Sequence, residues 1–150
     1  MSGDVAVEER EVAATPIAAT RRRVAWDELA SQIGVMFDAI YAVKPPRPPG
    51  AHNVIVYREL DDHGALVECG VVTDASFTGA GAIERSALPA GRALVTVHRG
   101  RYGGIPATHD ALAAWARAHG RVTSGVRWEI YGDWSDDPAQ LETTLFQLLR

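Results

Sequence analysis

The 150-residue sequence predicts an α+β fold built as two tandem modules about a pseudo-two-fold axis, each running strand, helix, strand, strand. Three observations predict it. Apolar spacing switches twice from the two-residue period of strands to the 3.6-residue period of helices. A strand pair follows each helical stretch. The halves also superimpose: Val7-Glu8 and Val12 fall on Ile83-Glu84 and Leu88, the kink at Thr15-Pro16 falls close to Pro89–Gly91, and Arg23 falls on Arg99. Such a repeat predicts two half-sheets and a pocket near the axis. The whole chain is one domain, with half-modules at about 5–75 and 82–150.

Taken in order, residues 1–4 are expected to fray. Val5 to Arg23 is strand-like, and Thr15-Pro16 removes a ladder donor, which marks a kinked or edge strand. Trp26, Leu29, Ala30, Ile33, Phe37, Ile40 and Tyr41 follow i, i+3, i+4, i+7 spacing, and Asp27 and Glu28 favour a helix start, so a helix spans 26–41. Lys44 to Gly50 holds four prolines and stops it as a stiff loop. Val54–Leu60 and Ala65–Asp74 read as strands joined by a hairpin at Asp61-Asp62-His63-Gly64. Ile83–Arg99 is extended with a break at Pro89-Ala90-Gly91. A second helix covers 105–119, with Leu112, Trp115, Ala116 and His119 along one side and Gly120 as its stop. Val126–Asp133 and Leu141–Leu149 complete the strands.

Composition narrows the function. A net charge of -4 and a pI near 5.7 argue against a nucleic-acid surface, which is usually basic. No apolar run approaches the ~20 residues of a membrane span. The single cysteine, Cys69, cannot form an internal disulfide, and the N-terminus carries no signal-peptide pattern, so a cytoplasmic location is expected. Cys69 lies in an apolar strand and reads as a buried, inert thiol. His52, His63, His98, His109 and His119 include no His-pair-with-Glu helix motif, and no serine sits in a nucleophile elbow. Neither a metal nor another cofactor is expected.

The sharpest site signal is Val126 to Asp133. Alternation places Trp128 and Ile130 on one face and Arg127, Glu129 and Tyr131 on the other. A carboxylate in the middle of a buried strand needs a partner or a ligand. The bland alternative is a surface pair with Arg127, worth about 0–1 kcal/mol. Tyr102, between Gly100 and Gly103-Gly104, reads equally as pocket lining or as a staple for the second helix. Trp115 has the helical spacing of a core residue.

The sequence resembles the GyrI-like, or bacterial transcription activator effector-binding, domain family. The resemblance rests on His98-Arg99-Gly100-Arg101-Tyr102-Gly103, on Trp115 with His119-Gly120, and on Trp128-Glu129-Ile130-Tyr131 followed by Asp133 and Asp136-Asp137-Pro138. Leu88-Pro89-Ala90-Gly91 is similar to the family's pre-strand signal. The resemblance implies a curved antiparallel sheet with two helices on one side and a cleft between modules that takes hydrophobic, often cationic, small molecules. It carries the family's central acidic residue onto Glu129 and its aromatic after the glycine motif onto Tyr102. Trp115 and Tyr131 are further expected lining residues from their spacing, and Tyr57, Phe37, Tyr41 and Trp26 from residue type and position alone; Tyr57 is taken as the approximate counterpart of Glu129.

Three functions are then expected in order. The first is binding of a hydrophobic or cationic small molecule, for effector sensing or drug sequestration, with Glu129 as charge anchor. The second is metal-independent hydrolysis of cyclopropane-containing toxic compounds, in which Glu129 moves a proton and Tyr102 orients water or stabilises charge. The third is an interaction module for a regulator or a topoisomerase. Because the fold begins by about Val5, a DNA reader is expected in another protein.

Overall fold

The computed structural model describes residues 5–150, so the expected fraying of residues 1–4 lies outside it. Eight strands form one antiparallel sheet: β1 (Glu8–Val12), β2 (Thr15–Ala25), β3 (Asn53–Arg58), β4 (Gly64–Val72), β5 (Glu84–Leu88), β6 (Gly91–Arg99), β7 (Thr123–Tyr131) and β8 (Glu142–Leu149). Helix α1 (Leu29–Ala42) follows β2, and α2 (Ile105–Ala118) follows β6; each is entered through a 3-10 turn, at Trp26–Glu28 and Tyr102–Gly104. The sheet order is β1-β6-β8-β7-β3-β4-β2-β5 and the sheet curls as a half-barrel.

That order corrects two expectations. The half-sheets are fused along β3 and β7, and the first strand of each module crosses to the other: β1 pairs with β6, and β5 with β2. Closure across the modules leaves only the short β1 and β5 as edges. The strand holding Pro16 is therefore interior. Its proline is tolerated because pairing with β4 starts one residue later, at Ile17, while the Pro16 carbonyl accepts from Thr73 N–H at 3.0 Å.

Register defines the repeat. The pair Ile17↔Val72 matches Ala93↔Leu148, so β2/β6 and β4/β8 positions are 76 residues apart, as are the helix starts Leu29 and Ile105. The pair Val54↔Gly70 matches Trp128↔Phe146, which makes β3/β7 positions 74 apart. Tyr57 is thus the counterpart of Tyr131, and the counterpart of Glu129 is Ile55, to which it is also directly paired. The pseudo-axis passes between Ile55 and Glu129. Setting Tyr57 against Glu129 is a slip of two residues, and a slip of two keeps every side chain on its face. The face assignment therefore survives the misalignment.

Both helices cover one face. Under α1 lie Ala18, Ile55, Val67, Cys69 and Val71, with Met36 and Ile40 pointing down from the helix. Burial, and after it the charges of Glu129 and Glu68, push the Cys69 thiol up to about 12, as expected of an inert cysteine. Under α2 the contact residues are Leu112 and Ala116 against Leu94 and Leu149. On the opposite face Trp128 stacks on Phe146, centroids 4.9 Å apart and planes 3° apart, among Val54, Val56, Ile17 and Val95. Among the described residues no helix is long and apolar enough to cross a membrane.

The β3–β4 turn holds the entry to α1. Asp61 Oδ1 accepts the N–H groups of His63 (2.8 Å) and Gly64 (3.0 Å), and the Asp61 carbonyl accepts the Trp26 indole N–H at 2.8 Å. The two backbone donors hold the Asp61 carboxyl below its ordinary 3.8. A lowered carboxyl stabilises above its unfolded value and loses that contribution as pH falls through the folded one. Asp61→Ala is expected to lower Tm by a few degrees at pH 7, and thermal melts should show the gap between variant and parent narrowing as pH falls below the ordinary carboxyl range. An undiminished gap in acid would contradict this.

Candidate ligand site

The conserved geometry of the repeat makes its departures informative. Three aliphatic positions of the first module, Ile33, Ile55 and Val71, become His109, Glu129 and Gln147 in the second. These three polar side chains touch one another. Glu129, 3% exposed, receives His109 Nε2 at 3.1 Å on Oε2, while its Oε1 accepts the Tyr131 hydroxyl and, at a long 3.5 Å, the Tyr57 hydroxyl. Each module thus sends one tyrosine to the carboxylate. Burial, then the Glu129 charge, raises both phenols well above the ordinary tyrosine range, so both keep the protons they donate.

The hydrogen-bond pattern also assigns the imidazole. The Gln147 side-chain amide nitrogen lies 3.1 Å from the His109 carbonyl and 3.2 Å from its Nδ1. An amide aimed at a carbonyl oxygen must present its NH2, so Nδ1 accepts and Nε2 carries the proton given to Glu129. The donors are then a neutral imidazole and two phenols. Among the described residues no Lys or Arg comes within 4 Å of the Glu129 carboxylate, whose one charged-type neighbour is His109.

Above this cluster is a cavity of about 780 Å³, between α1, the proline-rich loop and the end of β7. Ala30, Ile33, Phe37 and Tyr41 of α1 form one wall, and Tyr102, Tyr131 and Trp134 the other. Tyr131 is the contact between the two layers: its ring borders the cavity and its hydroxyl holds Glu129. Tyr102 packs edge-on to Tyr131 at 5.4 Å, and Trp134 stands 6.3 Å from Tyr102 with 70% of its surface exposed. Phe37 stacks on Tyr41 at 5.9 Å, and Tyr41 hydroxyl meets Asn53.

Local sequence explains how Tyr102 reaches the rim. His98 Nε2 donates to the Arg101 carbonyl and Nδ1 accepts from Thr108, each at 2.8 Å, which straps the 99–104 loop against α2. A Cβ on Gly104 would sit 2.9 Å from His98 Cε1, so glycine is required for that approach.

The structure thus brings Phe37, Tyr41, Tyr102 and Tyr131 to the cavity wall and puts Glu129 and Tyr57 in the buried layer beneath it. Trp26 caps the β3–β4 turn and Trp115 stacks on His119 at 3.9 Å; neither borders the cavity. The buried side of α2 is Ile105, His109, Leu112 and Ala116 rather than the Trp115 to His119 side. Sequence reasoning did not single out Trp134, His109 or Gln147. Trp134 was visible as an aromatic in an acidic turn, whereas a lone His on an apolar helix face and a Gln in a strand carry little signal alone.

The chain belongs to the family of GyrI-like small molecule binding domains, whose model matches residues 6–147. Solved structures agree on the fold. The EcmrR C-terminal domain is 18% identical with a TM-score of 0.78, covering 97% of this chain and 98% of that one. SAV2435 bound to tetraphenylphosphonium is 10% identical with a TM-score of 0.73, covering 97% and 94%. A hydrolase from Listeria innocua is 12% identical with a TM-score of 0.63, covering 96% and 91%. No curated protein sequence matches the chain.

Proposed function

We propose that the cavity between α1 and the end of β7 binds a hydrophobic organic cation, with Glu129 supplying the attraction. The observation that carries this reading is a buried carboxylate under an aromatic-lined cavity, held by neutral donors and with no Lys or Arg within 4 Å among the described residues, while the cavity wall itself balances one cation, Arg47, against one carboxylate, Asp133. Neutral donors keep the charge in place without cancelling it, so a guest cation completes the pair. Phe37, Tyr41, Tyr102, Tyr131 and Trp134 offer ring faces, each worth up to about 2 kcal/mol to a desolvated cation. The volume suits a drug-sized guest. The structural neighbour SAV2435, described with tetraphenylphosphonium, makes that ion the natural probe.

Binding is favoured over turnover by the crowding of Glu129. It is 3% exposed, three donors already occupy its roughly four acceptor positions, and it does not border the cavity, whereas a general base needs a lone pair facing water.

Calorimetric titration with tetraphenylphosphonium tests the reading. Saturable binding is expected in the parent, weakened about tenfold by Trp134→Ala. Trp134 is exposed, so this variant should melt with the parent. Absence of saturable binding, or undiminished affinity in Trp134→Ala, would overturn the site.

A further inference from the structure

The pseudo-two-fold that creates the first cavity creates a second one. A cleft of about 620 Å³ is lined by Arg58, Glu59 and Leu60 at the end of β3, by Ala113 of α2, and by Thr123 to Arg127 with Gln147. By the register offsets, Leu60 stands where Trp134 stands in the first cavity, Ala113 where Phe37 stands, and Arg127 where Asn53 stands. The mate has lost the aromatic rings and carries two guanidinium groups, Arg58 and Arg127, where the first cavity carries one, Arg47. A break in the β7–β8 register between Thr123 and Arg127, with Gly125 at φ +92°, opens its mouth.

Arg127 is the unusual member. Its Nε is buried without a hydrogen-bond partner, and it pairs with no carboxylate among the described residues. Its guanidinium carbon lies 5.8 Å from the centre of the Tyr57 ring, which steadies the fork but satisfies none of its N–H groups. The other charges facing the cleft are already engaged: Arg58 reaches Glu68 at 3.6 Å, and Glu59 is drawn toward Arg23 at 3.7 Å. A planar cation that lines a half-apolar cleft and whose N–H groups, the unburied Nη groups included, have no hydrogen-bond partner among the described residues matches one chemistry best, a carboxylate taken at the Nη end of the guanidinium.

We propose that this second cleft is a binding site for a small organic carboxylate, with Arg127 as its anchor and Leu60, Ala113 and Val126 as the apolar wall for the body of the ligand. The two modules therefore carry sites related by the pseudo-two-fold but of opposite preference, cation on one side of Glu129 and anion on the other. This stands apart from the first cavity: tetraphenylphosphonium binding neither supports nor weakens it.

The experiment is an amide-resolved NMR titration of the full chain with benzoate, and with benzamide as the neutral isostere. Saturable benzoate shifts are expected at Leu60, Ala113 and residues 124–127, with benzamide at least tenfold weaker. Arg127→Gln should weaken benzoate tenfold or more. Ala113→Phe, which puts back the ring found at the mirror position, should block the cleft while leaving Arg127 and the core intact, so the proposal stays testable if Arg127→Gln folds poorly. Shifts centred on Phe37, Asn53 and Trp134, equal affinity for the two probes, or full benzoate affinity in Ala113→Phe would each overturn it.

Discussion

Glu129→Gln is expected to weaken tetraphenylphosphonium binding at least tenfold, while a neutral ligand of similar shape such as triphenylphosphine oxide loses much less. At an effective dielectric of about 20, a charge 6–8 Å away contributes roughly 2–3 kcal/mol, and every 1.4 kcal/mol is a factor of ten. Only the cation feels that loss. The same change also turns one acceptor into an NH2 facing donors, so about 1–3 kcal/mol of stability should go with it. Competition titrations on folded variant at 15 °C separate the two effects. Equal loss for the cation and the neutral ligand would show that Glu129 shapes the cavity without charging it.

Why that residue could be found from sequence, and its partners could not, follows from the range of the interactions. Alternation in a strand is local, so Trp128 against Phe146 on one face and Glu129 with Tyr131 on the other were readable from Val126 to Asp133 alone. The helices and the strand breaks just before Thr15-Pro16 and at Pro89 are local too. The crossing of β1 to β6 and β5 to β2 is not, because nothing in five residues states which half a strand will join. His109 and Gln147 lie 20 residues before and 18 residues after Glu129 in the chain, and only the packing of α2 over β7 and β8 brings them together. Trp115 and Trp26 show the converse. An aromatic at helical spacing predicts burial beside a core, and which cavity it borders depends on the whole sheet.

The second large effect concerns those partners. His109→Ile alone restores the side chain found at the mirror position, yet it is expected to cost about 3 kcal/mol, a fall in Tm near 10 °C. It strips Glu129 of its Nε2–H donor and takes the Nδ1 acceptor from the Gln147 amide, which keeps only the backbone carbonyl of residue 109 in a place that is 5% exposed. Adding Glu129→Ile and Gln147→Val rebuilds the entire aliphatic set Ile33, Ile55 and Val71 of the first module, and this triple variant should recover at least half of the loss. Recovery stays partial because Tyr57, 6% exposed, keeps a hydroxyl with no acceptor, whereas Tyr131 can turn its own toward the cavity. Strong non-additivity in thermal melts is the signature of one polar unit; three independent losses that simply sum would refute it. The triple variant should at the same time bind no organic cation. A module that regains stability by becoming a copy of its two-fold mate, and loses cation binding together with the charge that distinguishes it, is the result the proposed ligand role of His109, Glu129 and Gln147 predicts.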